Sequence, residues 1–244
     1  MSKYILKDKI VIITGAAKGI GKAAARLLAE SGAHVIIADV DPDGEKTAAE
    51  IGGIFVKTDI SSPEQVENLK GTALEKYGRI DVLINNAARQ DVFPLFDTSP
   101  KRFRDIIFTN LCGTFNCIRI IGEVMEPGSR ILNCLSVHHD VPRQNKYAYD
   151  ASKAGLAMLT KETALEFAER GITVNGISYG AVKTPMNADW TSDPEKSKAV
   201  SKNIPLGWIA EDYEIAGYMK SVIEDFSDHA TGTIFTIDGG RSLL

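Results

Sequence analysis

Ile10-Val11-Ile12-Ile13-Thr14-Gly15-Ala16-Ala17-Lys18-Gly19-Ile20-Gly21 is the most informative run in the chain. Four β-branched apolar residues in succession leave no polar face, so they read as a strand covered on both sides. The strand runs into three glycines spaced GxxxGxG and then into a helical stretch, Gly19 to Ser31. Glycines let a backbone turn sharply and approach an anion closely. The helix that follows points free N–H groups and the positive end of its dipole at that anion.

Outward from this run the same unit repeats. His34-Val35-Ile36-Ile37 precedes Asp43 to Ile51, and Ile54-Phe55-Val56 precedes Pro63 to Tyr77. Ile80-Asp81-Val82-Leu83-Ile84 precedes a loop and Pro100 to Val124; Arg130-Ile131-Leu132-Asn133 precedes a loop and Tyr149 to Arg170. Ile172-Thr173-Val174-Asn175 and Thr233-Ile234-Phe235-Thr236 complete the set. Strand and helix in alternation imply right-handed βαβ units. The expected fold is α/β: one doubly wound domain over 1–244, a parallel sheet of about seven strands with helices on both faces. Gly32, Gly78 and Gly171 stand just past predicted helix ends, as helix stops do. The stretch 180–208, with Pro185, Pro194 and Pro205, lacks a strand pattern and is expected to be a mobile loop covering the site.

Composition excludes several classes. The 244 residues are 44% hydrophobic and 25% charged, which is globular rather than disordered. Lys plus Arg is 28 against 32 Asp plus Glu, a net charge of −4 that argues against nucleic-acid binding through bulk charge. Cys112, Cys117 and Cys134 have neither disulfide-framework nor metal-site spacing, so no metal is expected and a reducing compartment fits. MSKYILKDK is too polar for a signal peptide, and no apolar run is long enough for a membrane span. A cytoplasmic location is expected.

In a sheet of this kind ligands bind beyond the carboxyl ends of the strands. Those ends carry Thr14-Gly15, Asp39, Asn85-Asn86, Ser136 and Tyr179-Gly180. The glycine spacing differs from the GxGxxG of the usual dinucleotide turn and is weak alone; its place after a first strand gives it weight. Asp39, ending the second strand, suits both ribose hydroxyls of NAD and repels the 2′-phosphate of NADP. Lys18 in the glycine turn pulls the other way. Asp39 is weighed more heavily, because a carboxylate in contact discriminates by repulsion as well as attraction.

Tyr149 and Lys153 are four apart at the start of a long helix and share a face. An ammonium beside a phenol is expected to lower the phenol's pKa, fitting it for acid–base work on a carbonyl or alcohol. A second YxxxK pair, Tyr179 and Lys183, lies off any predicted helix and reads as a chance match. Ser136 could orient the substrate oxygen. Asn110, a short amide inside an apolar helix, calls for a hydrogen-bonding role and could hold a water that relays protons.

Taken together these residues resemble the short-chain dehydrogenase/reductase family. Thr14–Gly21 is similar to its cofactor turn, Asp59 to its adenine-binding aspartate and Asn85-Asn86-Ala87-Ala88 to its NNAG motif. Val182-Lys183-Thr184 resembles the segment that binds the carboxamide, and Asp238-Gly239-Gly240 its terminal DGG. The resemblance implies a Rossmann-type fold and a catalytic set of Asn110, Ser136, Tyr149 and Lys153. It implies a cofactor site of Gly15, Lys18, Gly19, Ile20, Gly21, Asp39, Asp59, Ile60, Asn86, Ala87, Tyr149, Lys153, Val182 and Thr184. Ser136-Val137-His138, Thr184-Pro185-Met186-Asn187-Ala188 and Ile204-Pro205-Leu206-Gly207-Trp208-Ile209 resemble stretches of the family's bacterial glucose 1-dehydrogenases. That likeness puts Arg89, Gln90, Ser136, His138 and Asn187 near a sugar. Two departures stand out: Ala88 replaces a Gly, where a positive backbone angle would cost energy, and Tyr179 replaces a Pro.

The expected activity is oxidoreduction of a secondary alcohol or carbonyl, with NAD as cofactor and a sugar or polyol as substrate. Reduction of a 3-oxoacyl thioester or other ketone is the alternative, and a dinucleotide-binding regulator without turnover is a third. Lys101, Arg102 and Arg104 cluster, but Asp91, Asp97 and Asp105 surround them, so no patch for an acidic carrier stands out. The resemblance implies a homotetramer built on the two long helices.

Overall fold

The structure is a computed structural model that describes residues 5–226 and 229–244. The first four residues of the N-terminal stretch read above therefore lie outside it. Seven strands form one parallel sheet: β1 (Ile10–Thr14), β2 (His34–Asp39), β3 (Ile54–Lys57), β4 (Val82–Asn85), β5 (Arg130–Cys134), β6 (Thr173–Tyr179) and β9 (Ile234–Ile237). Their order is β3-β2-β1-β4-β5-β6-β9. Two short strands, β7 (Val182–Lys183) and β8 (Ala210–Glu211), pair apart from it.

Alternation explains why the strands are apolar throughout. Val11 and Ile13 point into one core with Val35, Ile37 and Ile84; Ile10 and Ile12 point into the other with Ile36, Leu83 and Ile131. Helices α1 (Gly19–Glu30), α2 (Asp43–Ile51) and α9 (Asp212–Ser221) cover the first face. Helices α3 (Pro63–Tyr77), α5 (Thr114–Gly122) and α6 (Tyr147–Ala168) cover the second. Each fully buried Ile or Leu contributes about 1.5–3 kcal/mol, so both faces must be apolar to hold three layers together. Gly32, Gly78 and Gly171 take positive φ values of 89°, 74° and 66°, as helix stops should.

Two readings of the sequence need correction, one helix escaped it, and at Ala88 the structure decides how the chain meets a departure. The stretch 180–208 is not a plain loop. It holds β7, a 3-10 turn at Pro185–Asn187, α7 (Ala188–Thr191) and α8 (Pro194–Ser201). Asp193 caps α8 by accepting from the Glu195 and Lys196 N–H groups, and Pro194 sits at its first position, where proline stabilises a helix start. The Pro100–Val124 helix is broken: α4 (Pro100–Ile107) passes through a π-helical turn, Phe108–Gly113, into α5. Helix α9 carries no strong period and was not assigned from sequence; a capping box between Glu211 and Glu214 starts it. Ala88 does not take a positive φ, so the turn after β4 has a different shape from one that needs glycine.

The chain reverses its winding at β1, which has β2 on one side and β4 on the other. A crevice opens there, beyond the strand ends. Among the described residues no helix is long and apolar enough to cross a membrane. Cys112, Cys117 and Cys134 are free thiols.

Candidate active site

A cavity of about 830 Å3 occupies this crevice. Every site residue read from the sequence lines it except Asn110. At one end stand the glycine turn, Asp39 after β2, and Thr58, Asp59 and Ile60 after β3; at the other stand Ser136, His138, Tyr149 and Lys153. Val182, Thr184 and Asn187 roof it from the β7 side.

The glycine turn is closed from behind by Asn86. Its Nδ2 donates to the carbonyls of Thr14 (3.0 Å) and Gly15 (2.8 Å), while the Asn86 and Ala87 N–H groups both donate to Thr14 Oγ1 at 3.1 Å. This packing leaves no room for side chains. A Cβ on Gly15 would lie 2.6 Å from Ala87 Cα, and one on Gly21 would lie 2.3 Å from the Gly15 carbonyl oxygen. Gly15 also holds φ at +67°. No side chain caps α1, and Lys18, Gly19, Ile20 and Gly21 line the cavity, so the helix start is presented to whatever the cavity holds. A cradle of bare backbone at a helix start fits the diphosphate of a dinucleotide.

Asp39 accepts from the Ala17 N–H (2.9 Å) and the Asp41 N–H (3.0 Å), which fixes its carboxylate at the cavity wall with lone pairs to spare. Lys18 is not a free cation: its ammonium pairs with Asp41 (2.7 Å) and Asp43 (2.8 Å), which raise its pKa above the ordinary lysine value. Asp59 accepts from the Ser61 N–H (2.9 Å) and hydroxyl (2.7 Å), a turn that leaves its second oxygen without an intramolecular bond.

At the far end, Tyr149 and Lys153 lie one turn apart on α6, and both are buried. The Ser136 hydroxyl stands close enough to the Tyr149 phenol to pull its pKa down. Lys153 Nζ donates to the Cys134 carbonyl at 2.6 Å and lies 5.7 Å from the centre of the phenol ring. The lowered phenol pKa expected from sequence is not found. Burial pushes Tyr149 up to about 12 against the pull of Ser136, and burial pushes Lys153 down to about 8. One N–H of the ammonium goes to the Cys134 carbonyl and none goes to the phenol, and loss of water outweighs the ammonium's field.

Asn110 sits in the π turn and is 1% exposed. Its Nδ2 donates to the Arg89 carbonyl (2.9 Å) and Ser152 Oγ (3.0 Å), and its Oδ1 accepts from the Arg89 N–H (2.8 Å). The side-chain amide thus ties the loop after β4 to α6, and its Oδ1 keeps one lone pair beyond the bond from the Arg89 N–H. The extra residue of a π turn aims it there. The Tyr179–Lys183 pair does not meet: Lys183 is exposed and ion-paired with Glu211.

Gln90 links three elements. Its Nε2 donates to Asn187 Oδ1 (3.2 Å), and its Oε1 accepts from Lys146 Nζ (2.8 Å). Asn187 Nδ2 in turn donates to the Val182 carbonyl (2.9 Å). His138 Nδ1 lies 2.9 Å from the Val141 carbonyl, which requires the proton on Nδ1 and leaves Nε2 as an acceptor in the neutral ring. Burial lowers its pKa, keeping the ring neutral near pH 7. Lys146 escaped the sequence reading. It is 6% exposed, lines the cavity and lies 5.1 Å from the centre of the Tyr149 ring. Its position three residues before Tyr149 was the available signal.

Comparison with known proteins agrees with this geometry. The family described as enoyl-(acyl carrier protein) reductase matches residues 15–242. The chain is 37% identical to 3β-hydroxysteroid dehydrogenase 1 of Eggerthella lenta, covering 98% of this chain and 95% of that protein. It is 35% identical to a glucose 1-dehydrogenase of Gluconobacter oxydans, over 96% of this chain and 92% of that one. The crystal structure of a 3-ketoacyl-(acyl-carrier-protein) reductase from Brucella melitensis, complexed with NADH, superposes with a TM-score of 0.89 at 30% identity, covering 97% of this chain and 99% of that one. The chain belongs to the short-chain dehydrogenase/reductase family and is an NAD(P)-dependent oxidoreductase acting on CH–OH groups.

Proposed function

We propose that the chain interconverts a secondary alcohol and its carbonyl on a sugar or polyol, with NAD as the preferred cofactor. The observation that carries this reading is the polar wall facing Tyr149: Gln90, Asn187 and the acceptor nitrogen of His138. A polyhydroxylated substrate needs such partners, because each buried polar group left unmet in a closed site is costly. With the dinucleotide's diphosphate held in the cradle, its nicotinamide would supply the hydride acceptor or donor at the Tyr149 end. Tyr149 exchanges the hydroxyl proton, Ser136 orients the oxygen, and Lys153 adds positive charge behind the phenol. Asn110 holds the 86–90 loop in register with α6. Phenol at a pKa near 12 is an acid ready for reduction at neutral pH, and oxidation needs the phenolate, so oxidation should quicken as pH rises.

The NAD preference rests on Asp39 at the wall and on Lys18, whose charge is already taken by Asp41 and Asp43. The chain would work as one domain, with 180–208 moving as a cover over the substrate. Phe108, Phe115, Met158 and Leu165 expose apolar surface on the α4–α5 rod and α6, which supports a homotetramer packed through those helices. The free thiols support a cytoplasmic location. The 3-oxoacyl alternative has less support: in the Lys101, Arg102 and Arg104 cluster, Lys101 is paired with Asp105 and Arg102 lies over the Phe93 ring. A panel of sugars, polyols, ketones and 3-oxoacyl thioesters, followed by NADH absorbance, tests the reading. Turnover confined to the thioesters would overturn it.

A further inference from the structure

We infer that the substrate bears an anionic group, a carboxylate or phosphate, seated on Lys146 and Arg143 at the Tyr149 end of the cavity. The inference rests on the dehydrogenase reading above and narrows its substrate class.

The two ends of the cavity carry opposite charge. The lining carboxylates, Asp39, Asp41 and Asp59, all follow β2 and β3. Around Tyr149 the lining holds Arg89, Arg143 and Lys146 and no carboxylate. Several cations elsewhere are matched: Lys18 with Asp41 and Asp43, Lys22 and Arg26 with Glu50, Lys220 with Glu224. Among the described residues no carboxylate forms an ion pair with Lys146 or Arg143. Asp150 stands nearby, but its Oδ2 is taken by the Arg143 N–H at 2.8 Å, and its Oδ1 is buried without a partner. The one recorded hydrogen bond of the Lys146 ammonium is to the neutral Gln90 amide, at 2.8 Å.

A buried ammonium whose hydrogen bond goes to a neutral amide is costly. Burial pushes its pKa down to about 8, with Arg143 adding to the effect and the Asp150 carboxylate opposing it, and it remains mainly charged at pH 7. The backbone holds it in place: Asn145 adopts φ +69°, a left-handed value that asparagine tolerates well, and its carbonyl accepts from the Phe93 N–H at 2.9 Å. Desolvation of a held ammonium on a cavity wall makes sense if an anion compensates it on binding.

The test uses matched neutral and anionic substrates: sorbitol against gluconate for the carboxylate, glucose against glucose 6-phosphate for the phosphate. In the wild type, kcat/KM should favour the anionic member of at least one pair by roughly tenfold or more. Lys146→Gln and Arg143→Gln should each collapse that ratio toward one, chiefly through KM, and Lys146→Arg should restore part of it. Neutral members preferred by the wild type, or an unchanged ratio in both variants, would overturn the inference. A readout without turnover separates it from the parent reading. Gluconate or glucose 6-phosphate should raise the Tm of the NADH-loaded protein more than its neutral partner does, and Arg143→Gln should erase the difference. Protection by the anion with no turnover of any sugar or polyol breaks the parent reading alone. Turnover of neutral sugars with no preferential protection breaks this inference alone.

Discussion

The two ends of the cavity solve the same problem, holding a polar ligand, in different ways. Around the glycine turn the work is done by backbone: Asn86 clasps the turn, Thr14 Oγ1 gathers two N–H groups, and the Lys18 charge is paired in water with Asp41 and Asp43. Around Tyr149 it is done by buried side chains whose charges are not cancelled. Lys153 and Lys146 both sit with pKa values pushed down to about 8, and the phenol between them is pushed up to about 12. Shape selects at the first end. At the second, desolvated charge stands beside the phenol, as the proposed proton transfer and choice of substrate require.

Breaking the second end should have the largest effect. Tyr149→Phe removes the proton-exchanging hydroxyl without altering the cradle, and turnover should fall by about 10^2–10^4-fold. NADH affinity, read by fluorescence titration, should remain near wild type. Retained turnover would remove Tyr149 from the mechanism.

The first end is sharpened by a pair of variants. Asp39→Ala should lower kcat/KM for NAD by roughly ten- to hundredfold and shift the NAD:NADP ratio toward NADP. Lys18→Ala, removing a cation already paired in water, should leave that ratio within about twofold. A larger change with Lys18→Ala than with Asp39→Ala would reverse the assignment of the two residues.

The smallest effect concerns stability. The folded-state pKa of Lys153, about 8, lies below its ordinary 10.5, so between those values the unfolded chain binds more protons. Stability from this group therefore rises with pH across that window, and the burial cost is fully felt below pH 8. The Tm of the wild type should gain on that of Lys153→Met as pH increases from 8 to 10.5. A Tm difference that stays flat or moves the other way contradicts an ammonium buried at a cost.

Much of this was legible in the residues. Val/Ile runs followed by helical stretches announced a doubly wound sheet, because strands covered on both faces have no alternative pattern. The glycines of the turn, Asp39, Ser136 and the Tyr149–Lys153 spacing marked the crevice, since their geometry follows from local spacing at strand and helix ends. Three things were not legible. The covering segment 180–208 gains its short helices from caps such as Asp193 and from packing, which a proline-rich stretch does not advertise. The π turn that redirects Asn110 toward Arg89 and Ser152 depends on a partner loop far along the chain. Most consequential is the phenol's acidity. Spacing alone puts an ammonium near Tyr149, but the balance between its field and the loss of water is set by burial and by the Cys134 carbonyl that takes the Lys153 proton donor. Local order is written in neighbours along the chain; electrostatics depends on how much water the whole fold excludes, and only the packed structure fixes that.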